Sequence, residues 1–300
     1  MTQNNILGLL LFWFSSTAHC QVVQTVRDSL SKQIIPYVNI WVENEMIGTT
    51  TNVNGEYSFS KIPNGKTIVL SAIGYKTKKM TYDESRKIVL LQPQTTELKE
   101  LIVRGERKVT QIELGKFKRS KIRHYYGCTG HPYMLGKYFP FHESFVKTPF
   151  LDRVLIFTSS DIKDARINVR LYTLNEAGIP EKSLLNENRI VIVKKGNNIT
   201  KVDFSDKLIE IPQTGMLIAV EFLVVEKNKY KYQYRVENSK AAIEGTSYEP
   251  AFGTIPVESA ENSWQYNMGQ WSRTSRMTHV QLPEYKDKFA EIAVKLVLTN

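Results

Sequence analysis

Cysteine is nearly absent: the 300 residues hold two, Cys20 and Cys128. If Cys20 leaves with an N-terminal leader, Cys128 stands alone, so no disulfide scaffold is available and stability has to come from packing. Long apolar runs are missing too. No stretch reaches the roughly twenty consecutive apolar residues that a membrane helix needs, so the chain is not expected to be transmembrane. No histidine occurs between Gln21 and Arg123, so the first third cannot hold a zinc peptidase site, which needs His and carboxylate ligands at close spacing. Paired CxxC, HExxH and Gly-x-Ser-x-Gly signatures are lacking throughout. No catalytic residue and no cofactor can therefore be named from a motif.

What is present begins with an apolar run over residues 6–14 followed by small and polar residues. It is too short to span a bilayer and fits the apolar centre of a signal peptide over residues 1–20, although Met1 to Asn5 carries no Lys or Arg. Cleavage after Ala18 or after Cys20 is compatible with the small residues there. Lipidation of Cys20 is disfavoured, because Thr17-Ala18-His19 is a poor lipobox. The expectation is an exported protein.

The formal net charge is +10. Such an excess favours acidic partners, such as anionic lipid or polysaccharide, and export leaves nucleic acid as the least fitting of them. Much of it sits in Arg104, Arg107, Lys108, Lys116, Lys118, Arg119, Lys121 and Arg123, broken only by Glu106 and Glu113. Residues 104–144 are read as a basic linker and domain entrance, with an anion-binding stripe as the sharper alternative.

Between residues 26 and 103, short extended runs alternate with turn residues every 8 to 12 positions or so, the signal of a sandwich or barrel. Val38, Ile40 and Val42 share one strand face, while Tyr37, Asn39 and Trp41 share the other, which predicts a half-buried strand. Asn54-Gly55 supplies a tight hairpin turn, and Pro63-Asn64-Gly65 the next. Asn52, Asn54 and Glu56 place oxygen atoms at alternate positions, as calcium loops do, but an ordinary Asn-Gly turn is the simpler reading.

Three blocks in this region resemble a known family. Ile35-Pro36-Tyr37-Val38-Asn39-Ile40, then Gly48-Thr49-Thr50-Thr51-Asn52-Val53-Asn54-Gly55-Glu56-Tyr57-Ser58-Phe59, then Leu70-Ser71-Ala72-Ile73-Gly74-Tyr75 are similar, in order and spacing, to successive strands of the carboxypeptidase-like regulatory domain. The resemblance implies a transthyretin-like (prealbumin-like) β-sandwich of seven or so strands over residues 21–103, without peptidase chemistry. The same module precedes the plug of TonB-dependent outer-membrane receptors, and Leu98-Lys99-Glu100-Leu101-Ile102-Val103 resembles the segment that follows it there. Fewer than 200 residues remain, too few for a receptor barrel of about 22 strands.

Residues 145–300 again lack helical periodicity and show β runs at 153–158, 165–174, 189–194, 199–204, 217–225, 230–236 and 289–299. They predict a second β-sandwich with a jelly-roll-like resemblance to domains attached to such modules in surface proteins of Gram-negative bacteria. The run from Leu217 to Val225 is nearly all apolar, as expected for a central strand covered on both faces. Its eight apolar side chains would contribute on the order of 12 to 24 kcal/mol before entropy is subtracted. Glu221 interrupts them, and a Lys or Arg partner is favoured over a general acid.

Candidate metal ligands are His124, Cys128, His131 and His142, whose donors crowd the entrance to the second domain without a standard spacing. Residues 241–277 read as a long loop with weak strand signals, rich in aromatics. Tyr248, Trp264, Tyr266 and Trp271 are its candidate ligand-binding residues, because exposed rings on a sandwich rim can stack on sugars. The alternative is that they cap the core.

The reading is an all-β, non-catalytic binding or assembly protein of the bacterial cell envelope, in the periplasm or at the outer-membrane or cell surface. Its expected partner is a glycan or an envelope protein, with peripheral attachment to the outer membrane and no nucleic acid. The enzyme alternative is a metal-dependent hydrolase with a site near His131, His142 and Glu143. A further alternative is a structural spacer or an accessory of an outer-membrane transport system.

Overall fold

The structure is a computed structural model and describes residues 22–59, 62, 64–94, 110–236 and 242–300. The signal-peptide reading of residues 1–20, Cys20 included, lies outside the described residues, as do Arg104, Arg107 and Lys108. The sequence's β-branched and aromatic runs give strands throughout. The helical pieces among the described residues are 3-10 turns of three to five residues.

The N-terminal module has seven strands: β1 (Gln24–Asp28), β2 (Asn39–Val42), β3 (Gly48–Thr50), β4 (Glu56–Tyr57), β5 (Thr67–Ser71), β6 (Lys78–Thr81) and β7 (Ile88–Leu91). They form a sheet of order β4-β1-β7 facing one of order β3-β2-β5-β6. Val26, Val38, Ile40, Val42, Ile68, Leu70, Val89 and Leu91 fill the space between them. The turn before β4 needs no ion. Asn52 Oδ1 accepts from the backbone N–H groups of Asn54 and Glu56, Asn52 Nδ2 donates to Glu56, and Gly55 takes the left-handed φ of +69°.

The second body comprises β8 (Gln111–Leu114), β9 (Tyr125–Cys128), β10 (Met134–Phe139), β11 (Phe150–Ser160), β12 (Ala165–Leu174), β13 (Pro180–Ser183), β14 (Arg189–Val193), β15 (Gly196–Asp203) and β16 (Met216–Phe222). It continues with β17 (Lys229–Tyr234), β18 (Ile243–Val257), β19 (Ser263–Asn267), β20 (Gln270–Arg273), β21 (Phe289–Ile292) and β22 (Val294–Thr299). A front sheet runs β13-β12-β16-β10-β19-β20, with β14 also on β12. A back sheet runs β17-β18-β11-β22-β8, with β15 on β11 and both β9 and β21 on β18. The main core lies between them, built from Val154 and Ile156, Ile167, Val169 and Leu171, Ile218, Val220 and Phe222, and Val294, Leu296 and Leu298.

Two expectations need correction. Residues 104–144 read as a connector, yet their described part carries β8, β9 and β10, and β10 sits at the centre of the front sheet. Residues 241–277 read as a loop, yet they hold the fifteen-residue strand β18 and the hairpin β19–β20. Gly245, Pro250 and Gly253 break the local strand pattern of β18. Pairing with β17, β11, β9 and β21 supplies its order from tertiary contacts instead.

The two bodies share a seam. Thr50, on the edge strand β3, donates its N–H to Val224 O at 3.1 Å, and its Oγ1 accepts from Val224 N at 3.0 Å. Gly48 N–H donates to Gly130 O, and Tyr37 packs on Leu223, Val225 and Ile190 while accepting from Arg166. The face of Tyr37, Asn39 and Trp41 is thus buried against the second body rather than solvated.

Candidate functional site

The front sheet has two covered faces. Along β12, Ile167, Val169 and Leu171 point into the core, so Asn168, Arg170 and Tyr172 point outward. On β16 the outward set is Leu217, Ala219 and Glu221, and on β10 it is Met134, Gly136 and Tyr138. Trp264 and Tyr266 continue it on β19, and Trp271 and Arg273 on β20. Strand pairing aligns these into rows. One runs Asn168, Glu221, Met134, Tyr266, Trp271, and the next runs Arg170, Ala219, Gly136, Trp264, Arg273.

Four strand steps separate β12 from β20, about 19 Å in a flat sheet. Yet the rings of Tyr172 and Trp271 lie 5.4 Å apart, edge to face. The β19–β20 hairpin therefore curls back over the outer face toward β12. Trp271 also meets Tyr266 at 5.1 Å and Trp264 at 6.5 Å, so one indole joins three rings. Met134, Tyr172, Leu217, Ala219 and Trp264 are buried in this second cluster, while Tyr138, Leu174, Tyr266 and Trp271 remain partly open. Arg273 lies over the Trp264 ring at 3.7 Å, a cation–π contact.

The polar chemistry of the hairpin is incomplete. Trp264 Nε1, Asn267 Oδ1 and Thr274 Oγ1 are buried without a hydrogen-bond partner among the described residues. Burial pushes the Tyr266 hydroxyl up to about 12 and raises that of Tyr172, so both stay neutral donors. At the edge of the cluster, Glu221 is fully buried and accepts from Arg170 Nε and Nη2, each at 2.8 Å, from Asn168 at 2.7 Å and from Asn39. Burial disfavours the Arg170 charge, but the carboxylate outweighs it and holds the guanidinium ionised. The expected cationic partner of Glu221 is therefore Arg170.

Three of the four candidate ligand-binding residues, Trp264, Tyr266 and Trp271, are thus brought together, and Tyr248 is not. Tyr248 lies on β18 opposite Lys229 and Cys128, half-buried against the main core. Residue type and position along the chain could not have added Tyr138, Tyr172, Arg170 and Arg273, because only strand register places them beside the others. A second aromatic row also escaped notice. Tyr230, Tyr232 and Tyr234 line up along β17 at centroid spacings of 6.1 and 6.0 Å, the first pair stacked and the second tilted, and their i, i+2, i+4 spacing is the readable signal.

The candidate metal ligands do not converge. His124 Nδ1 meets Thr254 Oγ1, Cys128 Sγ donates to His131 O, the His131 ring stacks on Tyr133, and His142 caps the 3-10 turn beginning at Glu143. Among the described residues, no three His, Cys, Asp or Glu side chains could hold a metal ion together. The metal reading of His124, Cys128, His131 and His142 is corrected accordingly: each side chain is engaged in its own local packing.

Comparison with known proteins bears on the first body. No curated protein matches the chain. Among solved structures it aligns with that of the infectious bursal disease virus Gx strain, at 10% identity and a TM-score of 0.21, over 93% of this chain and 59% of that one. It aligns with the infectious bursal disease virus VP2 subviral particle at 7% identity and a TM-score of 0.15, over 92% and 63%. The chain spans about three-fifths of the length of those structures, and at such scores the likeness carries no argument. Residues 25–103 match the family model of the CarboxypepD_reg-like domain, so the N-terminal module of this chain belongs to that family.

Proposed function

We propose that the protein is an exported, non-catalytic binding protein of the cell envelope that holds a glycan against the aromatic outer face of its front sheet. The observation that carries the reading is the placement of Trp271: it unites Tyr172, Tyr266 and Trp264 on the side of the sheet away from the sandwich core. Partly open rings on a rigid sheet offer flat apolar faces for the C–H side of a pyranose. The unpartnered Trp264 N–H and the neutral Tyr266 hydroxyl supply hydrogen-bonding groups around them. The CarboxypepD_reg-like module supports a binding or regulatory role without turnover, and its seam with the second body fixes one end of the face.

A glycan array followed by titration of the best hit tests this. Trp271→Ala and Tyr266→Ala are expected to weaken binding by about tenfold or more, since each removes a stacking ring. Tyr232→Ala, on the separate β17 row, is expected to leave it unchanged. An array without hits would favour the spacer reading, and a hit insensitive to Trp271→Ala would move the site elsewhere.

A further inference from the structure

The back of the second body carries a cleft unrelated to the aromatic face. Its volume is about 720 Å³, within the size range of small-molecule sites. Lys118, Arg119 and Arg123 stand around it, and no carboxylate lines it. Among the described residues, none of these three cations, nor the neighbouring Lys121, forms an ion pair. All four are exposed and face solvent, where an anion can reach them. Arg119 is already oriented, because its Nη2 donates to Asn197 O at 2.6 Å and leaves the fork's other N–H donors for a ligand. Ser120 and the Asn197 side chain add polar groups at the rim. The floor is apolar: the half-buried Tyr125 ring lies 6.3 Å from Phe157, which is buried beneath it together with Ile122. A bare ion would leave that floor unused.

We infer that this cleft binds a phosphorylated group, its oxyanion held by Arg119, Arg123 and Lys118 and its carbon skeleton lying on the open face of Tyr125. Bidentate guanidinium pairing suits phosphate oxygens, and an aromatic floor suits a sugar or glycerol skeleton. The site is independent of the glycan reading of the front sheet and shares no residue with it.

Titration of the full chain with glucose 1-phosphate, inorganic phosphate and glucose tests the inference, together with co-sedimentation on phosphatidylglycerol/phosphatidylcholine vesicles against pure phosphatidylcholine. Glucose 1-phosphate is expected to bind more tightly than either inorganic phosphate or glucose and to weaken as salt rises. Arg119→Ala with Arg123→Ala should lower its affinity by about tenfold or more, whereas Trp271→Ala should not. Binding only to the anionic vesicles, lost in the same double variant, supports the site with a lipid headgroup as the source of the phosphate. Should loss of the Asn197 contact disturb the turn at Arg119, Arg123→Gln alone repeats the test, since Arg123 has no protein hydrogen bond to lose among the described residues. Failure of every probe to bind, or equal binding by the folded double variant, overturns the inference.

Discussion

Asn39, on β2 of the CarboxypepD_reg-like domain, donates its side-chain amide to Glu221, on β16 of the second body, so one buried carboxylate serves both. Arg170 and Asn168 take the remaining acceptor positions of that carboxylate. Replacing Glu221 by Gln leaves the Arg170 guanidinium, 5% exposed, without its counter-charge. Breaking one side of such a pair is expected to destabilise by about 3–5 kcal/mol. Arg170→Met with Glu221→Leu, which removes both charges, should be less damaging than either single change. Urea unfolding of Glu221→Gln, of the two single changes and of the double variant checks this; a Glu221→Gln midpoint equal to that of the native protein would sink the account.

The seam makes a second demand, on Gly48. A Cβ there would lie 2.5 Å from Pro132 Cδ and 2.8 Å from Ile40 O, one on each side of the junction. Neither a ring atom of a buried proline nor a strand carbonyl can step aside cheaply, so Gly48→Ala is expected to lose about 1–3 kcal/mol. It should also speed cleavage between the bodies in limited proteolysis. Gly127→Ala, whose Cβ would meet nothing within 4 Å, is the control and should behave as native. Similar proteolysis of the two variants would show that the seam tolerates the methyl group.

Much of the module was legible because its signals are local. Asn54-Gly55 marks a turn, although it is not the expected hairpin, since it passes the chain from β3 in one sheet to β4 in the other and is held by Asn52. The Val38, Ile40, Val42 alternation names the inner face of a strand. The burial of the opposite face is not legible, since nothing in Tyr37, Asn39 and Trp41 reveals that another body covers them. The apolar run around Glu221 correctly marked a central strand and an ion pair, but Arg170 lies 51 positions away and only the β12–β16 register identifies it. The aromatic site was half visible. Trp264, Tyr266 and Trp271 are close in sequence, while Tyr138 and Tyr172 arrive from strands paired at long range. The histidines misled for the same reason: His124, His131 and His142 lie in the connections before β9, between β9 and β10, and after β10, so extended strands intervene between residues close along the chain.

Two histidines give the fold a pH dependence. Burial lowers the pKa of both His124 and His131 below the ordinary 6.5, with aromatic neighbours and no carboxylate to offset it. A depressed folded-state value means that the unfolded chain takes up the proton first. Stability is therefore complete above about pH 6.5 and is lost as pH falls through the folded-state values. The loss is read as a lower unfolding midpoint at pH 5.5 than at pH 7.5. Paired unfolding curves at those two pH values measure it. His124→Gln with His131→Gln should flatten the difference, and an unchanged slope in that variant would assign it to other groups.

Cys128 offers a chemical test of the packing around β9. Its thiol is 1% exposed, donates to His131 O at 3.2 Å, and is pushed by burial up to about 11. The reactive species is the thiolate, so a buried thiol with so high a pKa should be inert at pH 8. In a Cys20→Ser chain, a disulfide reagent is expected to label the native protein far more slowly than a free thiol, and to label it at once in urea. A zinc-bound thiolate would behave differently. Chelation would then lower the melting temperature and expose the sulfur, whereas here a chelator should change neither stability nor labelling. Rapid labelling of the folded chain would show that β9 and β18 do not close over Cys128.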